Sequence, residues 1–231
     1  MRGGRGTRGG RGMSRARAPE GAAPAGNVMT NDEYFETLQA HWQGQLVVCA
    51  LGTSANEWWR RTRSTACFYM HAAMGFTSSF ALGLALSLPG EEIWLLNSDG
   101  GLAMNLGGLL TEASLQPSNL KHFVLSNRCY QTLRGAPLVN AERTDYVAVA
   151  RGAGIANVWG VTEAADLAAL LPTLAGTGQH ALVVAEVAPM REAAGFEPPP
   201  PQPYEGPELK YRFGRHIEEK LGITVFGPAG F

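Results

Sequence analysis

The chain has 231 residues, 45% hydrophobic and 17% charged, with a formal net charge of −1; that is enough for one α/β domain with a full core plus appendages. Of its 19 basic residues, six (Arg2, Arg5, Arg8, Arg11, Arg15 and Arg17) precede the first acid, Glu20, leaving 13 against 20 acidic residues in the remainder, a surplus that argues against a nucleic-acid-binding core. No apolar run reaches membrane-spanning length and no signal-peptide core follows the basic start, and three cysteines without even pairing or metal-ligand spacing (Cys49, Cys67, Cys129) point to reduced thiols in the cytoplasm.

Residues 1–28 are rich in Gly, Arg, Ala and Pro, lack apolar periodicity and are expected to be a disordered tail. Its Arg-Gly-Gly repeats could bind RNA or accept arginine methylation, although a solvated tail without either role is the simpler reading. A translation start at Met13 or Met29 would remove part or all of it. Residues 29–44 carry an N-terminal helix: Thr30 or Asn31 caps a segment through Leu38 with Asp32 and Glu33 in its first turn, where the helix dipole favours acids. Gln45–Leu51 is a short apolar run, read as the first buried strand. It ends in the hydroxyl-rich turn Gly52-Thr53-Ser54, followed by a helix containing Trp58 and Trp59.

Phe68-Tyr69-Met70 reads as a brief extended piece, and Met74–Ser79 opens a small-residue helix that Pro89-Gly90 stops. The strand Ile93–Leu96, a helix from Leu102 to Leu115 and the strand Phe123–Leu125 follow. Tyr146–Ala153 reads as helix and Val158 begins a short strand. Thr162-Glu163 starts a helix through Leu167, Leu170 and Leu171, and Ala181–Val187 is the last clear strand. This alternation predicts a three-layer α/β/α domain over residues 45–190, its mostly parallel sheet covered on both faces. Residues 191–231 supply a stiff Pro-rich connector (Glu197–Pro203) and a final helix. On that helix Leu209, Phe213, Ile217 and Leu221 form one apolar stripe, for docking on its own domain or on a partner chain.

The chemistry concentrates at two strand ends. Leu95-Leu96-Asn97-Ser98-Asp99-Gly100-Gly101 reads as a buried strand running into a tight Gly turn, and Phe123-Val124-Leu125-Ser126-Asn127 as a second strand ending on Asn. Open α/β sheets bind their ligands at strand carboxyl ends. The Gly100-Gly101 turn lets backbone N–H groups and a helix N-terminus face an anion. A carboxylate and an amide oxygen beside it suit a hard cation such as Mg²⁺, which usually shares its shell with phosphate oxygens.

An Asp-Gly turn followed by Asn at this spacing resembles the cofactor motif of thiamine-diphosphate enzymes. The flanking segments Phe68–Gly75, Met104–Leu109, Asn127-Arg128-Cys129-Tyr130-Gln131-Thr132 and Asp145–Gly154 are similar to the corresponding parts of sulfopyruvate and phosphonopyruvate decarboxylases. The likeness covers roughly residues 45–190, one half of such a decarboxylase: the diphosphate-binding domain, as in a separate β subunit. It implies the thiamine-diphosphate-binding fold, with Asp99, Asn127 and the Cys129 backbone carbonyl as Mg²⁺ ligands. Gly100 and Gly101 would offer N–H groups to the diphosphate, with Thr53 and Ser54 bonding its oxygens. Ser98 replaces the first Gly of the motif, and Tyr130 belongs to its Asn-x-x-Tyr loop. Met74 matches the bulky residue that bends the cofactor, so that its aminopyrimidine approaches the thiazolium, and the carbonyl near Ala72 would accept from the 4′-amino group.

His71 stands where relatives tend to carry an apolar residue, and is a candidate active-site acid–base or a contact for a substrate carboxylate. His122 and His180 flank strands and read as structural. Arg128 and Arg134 either attract an anionic substrate or face solvent. The resemblance also implies a Glu supplied by a pyrimidine-binding domain. About 45 residues precede the first strand, too few to build one, and Glu36 and Glu57 read as surface helix acids. The expected function is therefore the diphosphate-binding subunit of a hetero-oligomeric decarboxylase of a small anionic 2-oxo acid, with the activating Glu on a pyrimidine-domain α subunit. Carboligation, or a non-catalytic regulatory or scaffold subunit that kept the fold, are the alternatives.

Overall fold

The apolar runs of the chain pair with one another in a single parallel sheet, described here from a computed structural model covering residues 28–190 and 200–227. The basic tail, apart from its last residue, and the first three residues of the Pro-rich connector lie outside the described residues. Helix α1 (Asn31–His41) leads into β1 (Leu46–Cys49), α2 (Thr53–Thr62), β2 (Cys67–Tyr69), α3 (Thr77–Ser87) and β3 (Ile93–Ser98). Then come α4 (Asp99–Met104), α5 (Gly108–Leu115), β4 (Leu120–Ser126) and the small hairpin β5 (Cys129–Tyr130) and β6 (Ala136–Pro137). The chain closes with α6 (Tyr146–Gly152), β7 (Val158–Val161), α7 (Ala164–Leu174), β8 (Ala181–Glu186) and α8 (Gly206–Leu221).

The sheet order is β2-β1-β3-β4-β8-β7, every pairing parallel. The chain moves from β1 outward to β2, then crosses back to place β3 on the other side of β1. That reversal opens a crevice beyond the carboxyl ends of β1 and β3, the usual ligand position in such sheets. Strand residues alternate between two covered faces. Val47, Cys49, Trp94, Leu96, Phe123 and Val183 pack with Phe35, Trp58 and Leu167 of α1, α2 and α7. On the other face Val48, Ile93 and Leu95 meet α3 and α8, while Val124, Leu182 and Val184 meet α4, α5 and α6. The three-layer expectation therefore holds, and the near-continuous hydrophobic strands follow from burial on both sides.

Helix α1 starts at Thr30, which forms a reciprocal capping box with Glu33. The single helix expected over Leu102–Leu115 is two helices. Asn105 ends α4, its backbone N–H returning to the Leu102 carbonyl while its side chain donates to Gly75 O at 3.1 Å. The break thus ties the Met74–Gly75 loop to the end of α4. Glu57, expected at the surface, is buried and paired with Arg60 and Arg61, which lie one turn further along α2. The final stripe docks on its own domain: Leu209, Phe213 and Ile217 are buried. Replacing Ile217 by Ala should therefore cost about 2–4 kcal/mol of unfolding free energy in urea; an unchanged midpoint would show that α8 is not part of the folded unit.

Between the two clusters of the α3/α5 face lies a polar knot: Glu112 of α5 with His122 and His180, all buried. Burial alone would raise the Glu112 carboxyl, but the charge and hydrogen bonds of His122 and His180 outweigh it and hold it down at about 2. A depressed carboxylate stabilises the fold above its unfolded value of 4.5 and loses that contribution as pH falls toward 2. Unfolding free energies measured from pH 6 down to about 2 should therefore drop more steeply for the wild type than for Glu112→Gln, which has no proton to take up in this window.

Candidate functional site

Three strand ends build one cleft. The β1–α2 turn contributes Ala50, Thr53 and Ser54, the β3–α4 turn Ser98, Gly100 and Gly101, and the β4 loop Asn127, Cys129, Tyr130 and Thr132; Met74, Gly75 and Met104 close one side. Thr53 and Ser54 are the first two residues of α2. Of the residues expected at the site, Thr53, Ser54, Met74, Ser98, Gly100, Gly101, Asn127, Cys129 and Tyr130 come together here. Asp99 lies fully buried directly behind the turn. Ala72 and His71 stand outside the lining; His71 is exposed, and Ala72 holds a left-handed φ of +63°, a strained conformation for a residue with a Cβ.

Asp99 joins the two central strand ends. One carboxylate oxygen accepts from its neighbour Gly100 N–H and the other from Arg128 N–H beyond β4, both at 2.7 Å. Burial pushes its carboxyl up to about 6, against the pull of these two N–H groups and the Arg128 charge. The carboxylate is thus short of positive charge. Gly100 must be glycine because Tyr130 closes over it: a Cβ there would meet the Tyr130 ring at 2.8 Å. The Gly101 N–H donates to Ser98 Oγ at 3.1 Å, so Ser98, in place of a glycine, acts as the N-cap of α4.

Asn127 Oδ1 accepts from Cys129 N–H at 3.2 Å, turning the loop. Cys129 pairs with Pro137 in the β5–β6 hairpin, and proline has no N–H to offer the Cys129 carbonyl. Carboxylate, side-chain amide oxygen and backbone carbonyl make a hard donor set, suited to Mg²⁺ or Ca²⁺ rather than to a thiophilic metal. Among the described residues no group of three or more His, Cys, Asp or Glu side chains could hold a metal. An ion at this site would need further oxygens from an anionic ligand.

Arg128 is neither a solvent-facing charge nor a free anion trap. Its guanidinium forms a two-pronged pair with Glu186 at the end of β8, donates to the carbonyls of Ala141 and Thr144 and stacks over Tyr146, 5.5 Å from the ring centroid. Nothing in the local sequence indicates this, because Glu186 lies 58 positions away. Arg128 also holds φ +65°, so the lock is made at a backbone position that disfavours side chains.

The sequence matches the family model described as thiamine pyrophosphate enzyme, C-terminal TPP binding domain, over residues 47–185. It is 40% identical over 122 residues to the sulfopyruvate decarboxylase subunit beta of Methanothermobacter thermautotrophicus, covering 53% of this chain and 65% of that one. It is 32% identical over 143 residues to the phosphonopyruvate decarboxylase of Streptomyces viridochromogenes, covering 62% and 36% of the two chains. The chain thus spans less than two thirds of the length of either relative. A solved structure from Mycobacterium smegmatis, described as a thiamin diphosphate-dependent enzyme, superposes with a TM-score of 0.58 at 20% identity over 70% of this chain and 32% of that one, which shows a shared fold.

The Arg128 lock yields a stability test. Arg128→Ala removes the ion pair and two carbonyl contacts, with an expected loss of about 1–3 kcal/mol in urea unfolding. Arg128→Gly removes the same contacts but accommodates the positive φ, and should be more stable than the Ala variant by about 0.4–1 kcal/mol; the opposite order would show that the loop relaxes once the side chain is gone.

Proposed function

The chain belongs to the thiamine pyrophosphate enzymes, carrying their C-terminal cofactor-binding domain, and from that premise we propose that it is the diphosphate-binding subunit of a heteromeric decarboxylase acting on a small anionic 2-oxo acid. The observation that carries this reading is the buried, charge-short carboxylate of Asp99 beside the hard oxygens of Asn127 and Cys129, in a cleft at the switch point of the sheet. Those three groups would hold Mg²⁺, which would take its remaining oxygens from the diphosphate. Thr53 and Ser54 would bond the diphosphate from the start of α2. The N–H of Gly101 would face it once the Ser98 hydroxyl turns aside, with Tyr130 walling the turn; that of Gly100, expected from the sequence to do the same, is taken by Asp99.

Once bound, thiamine diphosphate supplies the nucleophilic carbon and the electron sink for loss of CO₂. This chain's part is support and orientation. Met74, 56% exposed on the cleft side, would prop the cofactor into its bent form, and the Ala72 carbonyl, held by a strained backbone, would accept from its amino group. His71 would serve the substrate from the rim as an acid–base group, and its exposure supports that access.

Two observations support a partner. No Glu is found among the residues lining the cleft, and Glu57 is occupied by Arg60 and Arg61, so the activating acid would come from a pyrimidine-domain subunit. Exposed apolar side chains cluster beside the cleft: Met74, Phe76, Met104 and Leu106, held together by the Asn105–Gly75 bond. Such a patch on a soluble fold marks a protein-facing surface. Anionic substrates of the sulfopyruvate or phosphonopyruvate type are supported by the names of the relatives. No helix of the described residues is long and apolar enough to cross a membrane, and the three cysteines are free, which supports a cytoplasmic protein.

Titration calorimetry tests the reading. The chain, alone and with the copurified partner, should bind thiamine diphosphate only with Mg²⁺, and Asp99→Ala should weaken that binding about 100-fold or more, as loss of one partner of a buried charged contact does. Absence of binding in every combination would overturn the assignment.

A further inference from the structure

The polar knot under α5 is not isolated from the cleft. Asn97, the third-last residue before Gly100, points its side chain to the α5 side of the sheet, where its Nδ2 lies 3.1 Å from His122 Nε2. His122 Nδ1 lies 2.9 Å from Glu112 Oε1, and His180 Nε2 reaches the same oxygen at 2.8 Å. At the other end Asn97 Oδ1 accepts the backbone N–H of Ser98 at 2.9 Å. All four side chains are at least nine-tenths buried.

One fixed donor orients the whole chain of bonds. A backbone N–H can only donate, so Asn97 presents its oxygen to Ser98 and its NH₂ to His122. In the neutral imidazole His122 Nε2 must then accept, which makes it the Nδ1–H tautomer donating to the acceptor-only Glu112 carboxylate; only in the acid range, where the Glu112 carboxyl takes up its proton, does the charge of a protonated ring add to that bond. Conversely, Glu112 selects that tautomer, and the tautomer selects the orientation of the Asn97 amide. The turn rests on this amide: a Cβ at Gly101 would lie 2.9 Å from Asn97 Oδ1. Burying a carboxylate and two imidazoles in a position that apolar residues would fill is costly, and the arrangement is recovered in how firmly it holds the Ser98–Gly101 backbone.

We propose that Glu112, acting through His122 and Asn97, is a positioning residue that fixes the Ser98–Gly101 turn and thereby sets the affinity of the site for a diphosphate it never touches. The proposal rests on reading that turn as the diphosphate-binding loop. Its effects are read both with and without the cofactor.

In the full chain, ¹⁵N-histidine NMR should show His122 as the Nδ1–H tautomer. Glu112→Ala, at a temperature where near-ultraviolet circular dichroism remains native, should lose that single tautomer. Its Ser98–Gly101 amides should exchange about tenfold faster, and it should bind thiamine diphosphate with Mg²⁺ about tenfold more weakly, the scale of one lost buried hydrogen bond. Glu112→Gln, whose amide oxygen still accepts from both imidazoles, should remain within about threefold of wild type in both readouts. If Glu112→Ala does not fold, Asn97→Ala cuts the same chain nearer the turn and should show the same exchange and affinity losses. An Nε2–H tautomer in the wild type, or a folded variant with unchanged turn exchange, overturns the proposal. If the wild type binds no cofactor while tautomer and exchange behave as expected, the positioning role stands and the reading of the cleft fails.

Discussion

The site hangs on one buried carboxylate. Asp99 grips the N–H of its neighbour Gly100 at the start of α4 and that of Arg128 in the loop after β4, so the ends of β3 and β4 are held at a fixed separation by a group with no exposure to water. Two neutral N–H groups do not compensate an anion in such a place, and its raised proton affinity is the measure of the deficit. An Asn in this place could accept only one of the two N–H groups and would turn its NH₂ against the other, so the link between the strand ends itself calls for a carboxylate. A carboxylate kept there at a cost fits a position that meets a cation in the working protein, which is the reading proposed above.

Around this carboxylate the fold spends strain and charge on holding loops rather than on stability. Arg128 and Ala72 both carry side chains at positive φ, and both lie in loops next to the cleft. At Arg128 the compensation is visible: the guanidinium ties the β4 loop to Glu186, to the carbonyls of Ala141 and Thr144, and to the ring of Tyr146. At Ala72 no side chain can compensate, and the Met74–Gly75 segment is instead held by Asn105 from the break between α4 and α5. Other side chains at positive φ, such as Arg63 and Gln116, only close helix ends; at Ala72 and Arg128 the strained backbone instead shapes the loops around the cleft.

What the sequence made legible divides along the same line. Strands such as Ile93–Ser98 and Ala181–Glu186 are built on continuous apolar runs, readable because a parallel sheet buries both of their faces, and the Asp99-Gly100 turn and Asn127 stand at the ends of β3 and β4, where chemistry is expected in such a fold. The break at Asn105 had a local signal, Asn105 followed by Gly107 and Gly108, all poor helix formers; the apolar residues on either side masked it, and the tertiary bond to Gly75 fixes where the chain turns. Glu57 looked like a surface acid because pattern does not reveal that Arg60 and Arg61 fold over it. The Arg128–Glu186 lock and the Glu112–His122–His180 knot join residues 58, 10 and 68 positions apart. No periodicity encodes such pairings. A lone Glu within the apolar stretch Leu109–Leu115 was the sole local hint of the knot.

The topology explains why these long-range devices converge. Because the chain reverses between β1 and β3, the loops after β1, β3 and β4 rise side by side and leave a crevice among them. Each loop leaves a rigid strand, but nothing in a parallel sheet fixes the loops relative to one another beyond the last ladder bond. Asp99 supplies that connection above the sheet between β3 and β4, Arg128 extends it to β8, and the Asn97–His122–Glu112 chain supports the β3 turn from below. The remaining side of the cleft, carrying Met74, Phe76, Met104 and Leu106, is fastened by the neutral Asn105–Gly75 bond and otherwise presents apolar surface. Order on three sides and an apolar fourth fit the half-site proposed above, which another protein surface would close.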